Sequence, residues 1–258
     1  MRLTRVVLTA LAVAVFVPSV GLAQYTPQWH VGDWWIVKSW VSNLHGGRRW
    51  QHSRYDVLGV ENVEGKNCFV LQCGDTASPG IGPRTLYYVR SDSWRIVRQV
   101  SYSVLSGKLM GPWQFDCPQG MFGPMPVEPQ WPVFPLDTTA LRDSAFILRH
   151  GARGMFPMRQ FSRQDDSAAL RRYRAEPDTG GGNPVPVGRG KFYAALTELG
   201  APPEKGGPDV RASYTLQIWS EDYPWRMYWE WGQYVPRGEL HTEPDSRAWL
   251  VRFGRSGK

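Results

Sequence analysis

The chain has 258 residues, 30 Lys and Arg against 23 Asp and Glu, and a formal net charge of +7. That length suits one large β domain or two small ones and is ample for a real core. The cations are scattered, with only Arg48-Arg49 and Arg171-Arg172 adjacent, which speaks against a dedicated polyanion or nucleic-acid site and leaves the charge as a solubility feature.

The first residues, Met1-Arg2-Leu3-Thr4-Arg5, carry two cations and no acid, and an apolar run follows from Val6 to Val17 before Gly21-Leu22-Ala23. That order predicts a secretory signal peptide over residues 1–23 with a small-x-small cleavage site. The apolar stretch is too short for a membrane span, which takes roughly 20 residues. No Cys stands at the cut, so lipid attachment is not expected. Cleavage removes Arg2 and Arg5, leaving about +5 on residues 24–258, expected as a single β-rich domain in the periplasm or secreted.

Three cysteines, Cys68, Cys73 and Cys117, then enter an oxidising compartment. Cys68 and Cys73 lie five apart on one expected strand, so they point to opposite faces and should not pair with each other. A disulfide from one of them to Cys117 is expected; it would close a loop of roughly 45 to 50 residues and contribute a few kcal/mol. The third is left as a buried thiol or an intermolecular link. No His sits near them at zinc-ligand spacing, so no metal is expected.

Between residues 34 and 104 the chain alternates and turns as β-hairpins do. Residues 34–41 form a short aromatic and β-branched run, His45-Gly46-Gly47 turns the chain, residues 50–63 continue, and Glu64-Gly65-Lys66 turns it again. Residues 68–73 are apolar on both faces, which predicts a central, covered strand. Residues 85–90 and 94–104 flank Ser91-Asp92-Ser93, and the second places Trp94, Ile96, Arg98, Val100, Tyr102 and Val104 on one face. Seven prolines between residues 111 and 135 predict an irregular insert over about 111–136 with local extended pieces. Loops this long are usually functional or loosely ordered.

Residues 137–150 read as a helix capped by Asp137 or Thr138, with Leu141, Ala145 and Leu148 at helical spacing. Residues 162–175 are polar and read as an edge hairpin. A Gly/Pro-rich loop spans about 176–190, with Gly180-Gly181-Gly182 at its centre. Residues 191–199 fit a short helix or a strand. The C-terminal part returns to β: Tyr214, Leu216 and Ile218 alternate, residues 220–224 turn, Trp225, Met227, Trp229 and Trp231 alternate, and residues 247–253 close the chain.

Catalytic signatures do not assemble. Asp178-Thr179-Gly180 lacks the apolar strand and second carboxylate of an aspartic protease. Gly190-Lys191-Phe192 lacks the Ser or Thr of a phosphate-binding loop, and there is no G-x-S-x-G elbow. His30, His45, His52, His150 and His241 are the available acid or base groups. The spacing lets His45 and His52 face each other across a hairpin, with Asp56 one step further, but no nucleophile is placed beside them. The pairs Asp165-Asp166 and Glu221-Asp222 sit in polar turns and are expected to cap or solvate rather than flank a glycosidic bond.

Tryptophan is the one excess, with 13 in all. Trp225, Met227, Trp229 and Trp231 share one face of one expected strand, with Trp219 opposite across the hairpin. These four indoles, Trp219, Trp225, Trp229 and Trp231, are the candidate ligand contacts. Core packing and cross-strand pairing are the competing role for each of them.

The opening Trp29-His30-Val31-Gly32-Asp33-Trp34-Trp35-Ile36-Val37, continued by the strand-turn-strand over residues 55–68, resembles the start of the periplasmic lipoprotein-carrier superfamily and its exported relatives. Val187-Gly188-Arg189-Gly190-Lys191-Phe192 is similar to a later turn of those proteins. The resemblance implies a half-barrel wrapping a hydrophobic cavity. The overall expectation is therefore a mainly β fold: one curved antiparallel sheet with a few short helices and the Pro-rich insert. The expected function is non-enzymatic binding, without cofactor, of an apolar small molecule, a lipid or a partner segment. The alternatives are an envelope structural or interaction domain and, third, a hydrolase of envelope glycan.

Overall fold

The computed structural model describes residues 24–42, 47–76, 83–105, 108–116, 121–122, 134, 136–137, 142–149, 152–174, 182–200, 211–233 and 244–256. The expected signal peptide, Cys117, His45, His150, His241, the Asp178-Thr179-Gly180 turn and most of the Pro-rich insert lie outside them.

The strands, in chain order, are β1 (Gln24–Tyr25), β2 (Trp34–Ser42), β3 (Arg48–Val63), β4 (Lys66–Asp75), β5 (Arg84–Arg90), β6 (Ile96–Leu105), β7 (Lys108–Asp116), β8 (Met121–Phe122), β9 (Leu136–Asp137), β10 (Arg142–Arg149), β11 (Ala152–Gln164), β12 (Phe192–Gly200), β13 (Arg211–Ser220), β14 (Tyr228–Gln233) and β15 (Ser246–Gly254). One helix, α1 (Ser167–Arg174), follows β11. Thirteen strands form one sheet in the order β7-β6-β5-β4-β3-β2-β15-β14-β13-β12-β11-β10-β8, while β1 and β9 pair separately. Every neighbour pair is antiparallel except β8 on β10. The expected mainly β, curved antiparallel sheet is the fold.

The curvature follows from ring distances. Phe134 lies 6.3 Å from Trp94, just past β5, and 5.1 Å from Trp219 on β13. Six strand-to-strand steps separate β5 from β13, about 29 Å in a flat sheet at ~4.8 Å per step. Two indoles that share one phenyl ring can be no more than about 11 Å apart, so the sheet rolls around them. Trp219 and every second residue before it, Gln217, Thr215 and Ser213, therefore face inward. The other set, Ile218, Leu216 and Tyr214, faces outward, beneath α1 and residues 182–187.

Two expectations about local structure are corrected. Where residues 137–150 are described they are strand, not helix: Asp137 pairs with Gln24, and Arg142–Arg149 is β10, paired with β11. Leu141, Ala145 and Leu148 fit a helical stripe, yet Phe146-Ile147-Leu148 fits a strand equally, and the long partner β11 supplies the ladder. Residues 162–175 are not an edge hairpin: β11 runs to Gln164 and α1 follows. Asp166 caps α1, its Oδ1 accepting from the amides of Ala168 at 2.8 Å and Ala169 at 3.2 Å, and Ala168-Ala169-Leu170 favours the helix. The ambiguous 191–199 is strand β12.

No disulfide is seen among the described residues, and Cys117, the expected partner, lies outside them. On β4 Cys68 is buried and Cys73 half-buried. Burial raises the Cys68 thiol above the usual range, so it behaves as a small apolar group.

The opening motif is a structural pin. Gly32, at φ +91°, has room for no Cβ, which would lie 2.9 Å from the Ser256 Cβ. Asp33 is fully buried, and its Oδ2 accepts from the His30 amide at 2.8 Å while Oδ1 accepts from the Ser256 amide at 3.0 Å. One carboxylate thus ties the start of β2 to the end of β15.

Candidate functional site

The inner face of the sheet has two unlike ends. At the end where β2 begins and β13 finishes, aromatic rings fill the space. Trp35 stacks on Trp225 at 4.8 Å and on Tyr55 at 5.8 Å. Trp29 packs on Trp225 at 5.9 Å and edge-on to Trp94 at 4.8 Å, and its Nε1 donates to the Pro224 carbonyl at 2.6 Å. Tyr25 stacks on Tyr193 at 5.1 Å. Burial raises the Tyr25 phenol well above its usual range, and its hydroxyl donates to the Ser220 carbonyl at 3.2 Å.

Towards the other end the lining becomes polar. Register places Gln217 opposite Trp229 and Thr215 opposite Trp231. It carries one row on through Ala195 to Ser162 and the other through Thr197 to Gln160. Gln160, Ser162, Thr197, Ser213, Thr215, Gln217 and Ser246 are all buried. Buried neutral polar groups on a sheet face cost free energy unless they meet partners, so such a row is not what core packing alone selects.

The four candidate indoles therefore divide. Trp219 and Trp225 belong to the filled end, 0% and 1% exposed. Trp219 Nε1 donates to Gln217 Oε1 at 3.2 Å. Trp225 does not lie on β14 but in the turn before it, so the sequence alternation overstated the length of that strand. Trp229 and Trp231 stand on β14 at the polar end, Trp229 8% exposed with its Nε1 lacking a hydrogen-bond partner and Trp231 half-buried.

Arg226 joins the two ends, and sequence reasoning passed it over. Its guanidinium is buried with the Trp225 ring at 5.0 Å and the Trp229 ring at 5.7 Å, and Nη1 donates to Gln217 Oε1 at 3.4 Å. Cation–π geometry of this kind suits a weakly hydrated guanidinium. The signal for it in the sequence was only adjacency to the tryptophans; Gln217 became visible only through register.

The outer face holds a second buried polar cluster. Glu230 is fully buried, with Arg172 Nη2 at 2.6 Å from Oε1 and Arg247 Nε at 3.8 Å from Oε2. Tyr228 donates to Glu230 Oε2 at 2.6 Å, and Arg172 donates to the Tyr214 hydroxyl at 3.2 Å. Burial first, and then the charge of Glu230, push both tyrosines well above the usual phenol range. Tyr173 of α1 packs edge-on to Tyr228 at 6.0 Å. This network clamps α1 to the sheet.

The other titratable candidates are held in structural roles. Asp165 accepts from the Phe192 amide, Asp222 from the Gly190 amide at 2.7 Å, and Glu221 from the Tyr193 hydroxyl at 3.2 Å. A Cβ on Gly188 would fall 1.8 Å from Asp222 Oδ2, so the Val187–Phe192 motif is packing around that carboxylate. His30 is exposed beside Asp33 at 3.5 Å. His52 lies opposite Lys38 in the ladder, and Asp56 is bound by Arg54 at 2.7 Å. Among the described residues no group of three or more His, Cys, Asp or Glu is placed to hold a metal. No described helix is long and apolar enough to cross a membrane.

Comparison with protein-family models, with curated proteins and with solved structures returns no match for this chain.

Proposed function

We propose that the protein is an exported, non-enzymatic binding module that holds an amphiphilic ligand against the inner face of its sheet, beside Trp229 and Trp231. The observation that carries this reading is the division of that face. A sheet that only needed a core would continue the aromatic filling, whereas here Ser, Thr and Gln line the rows flanking two tryptophans. Flat indole surfaces take the apolar part of a ligand, and the neighbouring hydroxyls and amides take its polar groups, which is how apolar sites with few polar anchors achieve orientation. The unpartnered Nε1 of Trp229 is a donor that a ligand acceptor would satisfy. Export rests on the sequence of residues 1–23, and the likeness to lipoprotein carriers belongs to the same proposal.

The filled aromatic end favours one other reading, an envelope interaction domain whose inner face is simply closed. The hydrolase alternative draws no support from Asp56, Asp165, Asp222, Glu221 or Glu230, each of which is engaged by an arginine, an amide or a hydroxyl.

Native mass spectrometry with lipid extraction, on protein purified from the periplasm without detergent, tests the proposal. A co-purifying amphiphile near one-to-one is the expected result, with Trp229→Phe weakening its retention about tenfold while the fold stays intact. A clean apo mass together with no uptake of a hydrophobic dye would overturn it in favour of the closed domain.

A further inference from the structure

Nine large hydrophobic residues are exposed among the described residues, and five of them, Val104, Leu105, Leu109, Met110 and Trp113, belong to one hairpin at the sheet edge. Their exposures run from 42% to 65%. Val104 pairs with Leu109, Leu105 with Lys108 and Ser103 with Met110, so successive apolar side chains project from opposite faces of the β6–β7 ribbon. A solvated edge hairpin keeps one face polar, and natural edges are blunted by charge. This one is apolar on both faces at its tip.

From Trp94 to Phe115 the sequence contains Arg95, Arg98 and Lys108 and no Asp or Glu. We infer that the β6–β7 hairpin tip docks the protein on an anionic lipid surface. Four apolar side chains lie within two or three residues of the turn, which at ~3.3 Å per residue is a depth of about 5–10 Å, the depth at which peripheral elements seat between headgroups and acyl chains. Tyr102 and Trp113 are set back by roughly 13 and 20 Å on the same count, where amphipathic rings favour the headgroup level. Lys108, opposite Leu105, extends its charged end to lipid phosphate while its stem stays in the apolar layer; farther back Arg95 has the same sign, while Arg98 stands opposite Asp116 in the ladder.

Other occupants fit less well. Five side chains at these exposures present on the order of 400–500 Å², about half the ~800 Å² per partner of a stable protein interface. Strand addition along β7 is interrupted at Pro112, which has no amide hydrogen, and by the register shift between Ser101 and Ser103. The hairpin shares no residue with the inner-face site, so either assignment can fail without the other.

The test is vesicle co-sedimentation of the chain as recovered from the periplasm, its N-terminus read by mass spectrometry, on phosphatidylcholine vesicles with and without phosphatidylglycerol. Binding to the anionic vesicles, weakened by salt, is expected. Leu105→Ser with Leu109→Ser should weaken it at least about tenfold, and Lys108→Glu about tenfold. These residues are exposed, so unchanged thermal melts confirm that the variants are folded. Equal binding by the wild type and the double-serine variant, or no binding at all, overturns the inference. Loss of self-association in the double-serine variant by sedimentation velocity, without vesicle binding by the wild type, would assign the patch to a second copy instead.

Discussion

Strands β13 and β14 at the centre of the sheet and the hairpin β6–β7 at its edge carry similar alternating sequences but have opposite fates. On β13, every residue from Ser213 to Ser220 is buried; aromatic filling lies beneath Trp219 on the inner face, and α1 with residues 182–187 covers the outer one. On β6–β7, side chains of both faces reach solvent over Ser103–Leu105 and Lys108–Gln114. Alternation decides which residues share a face; only a second layer decides whether that face is dry. The apolar residues of the hairpin are therefore available to something outside the chain, whereas those on the outer face of β13 are committed to the fold.

The comparison breaks most visibly at the centre. Trp225→Ala empties the middle of the aromatic stack and should cost about 4 kcal/mol in chemical denaturation; a shift under about 1 kcal/mol would mean that the filled end is not the core. Glu230→Gln leaves the half-buried Arg172 and Arg247 without their carboxylate and should cost about 2 kcal/mol, with hydrogen exchange in α1 rising as the clamp loosens. An unchanged exchange rate would detach the helix from that network.

The smallest effect lies towards the edge. Asp92, in the β5–β6 turn, is held down to a pKa of about 2 by its hydrogen bonds from Arg90. A carboxyl with a depressed pKa stabilises the fold above its unfolded pKa and loses that contribution as the pH falls through the folded value. The stabilisation should thus be present above about pH 4 and gone near pH 2. Because Asp92 is half-exposed, Asp92→Asn should cost only ~0.5 kcal/mol at neutral pH and nothing at pH ~2; a cost that persists in acid would show that packing, not charge, is responsible.

Much of the sheet was legible. Gly-containing turns and period-two runs placed β2 to β6, and the doubly apolar Cys68–Cys73 run fell inside the sheet as expected. The failures have a common physical cause. Residues 142–149 satisfy helical and strand periods alike, and the ladder with β11, distant information, settles the choice. Asp166 reads as one of two adjacent turn acids until its oxygen is seen to meet the first amides of α1. The candidate site was legible as tryptophans but not as a site. Which of Trp219, Trp225, Trp229 and Trp231 fills space and which stands beside Gln217 and Thr215 depends on register across β12 to β15, and no single strand encodes that. Arg226 was hidden for the same reason, since its two rings come from neighbours in sequence but its amide partner from another strand.

The ladder between β2 and β15 fixes an order of events. The first long strand of the chain has the last one as a neighbour, and Asp33 waits for the amide of Ser256. During synthesis, β3 to β7 can pair in sequence, each hairpin closing behind its predecessor, but the seam beside β2 stays unpaired until β15 emerges. Until then β2 offers an exposed edge bearing Trp35, Trp40 and their neighbours, a surface prone to pair with other chains. Late closure of so distant a contact makes for slow folding. A chain cut short before β15 would keep most of its local hairpins and lose the seam that joins β2 to β14.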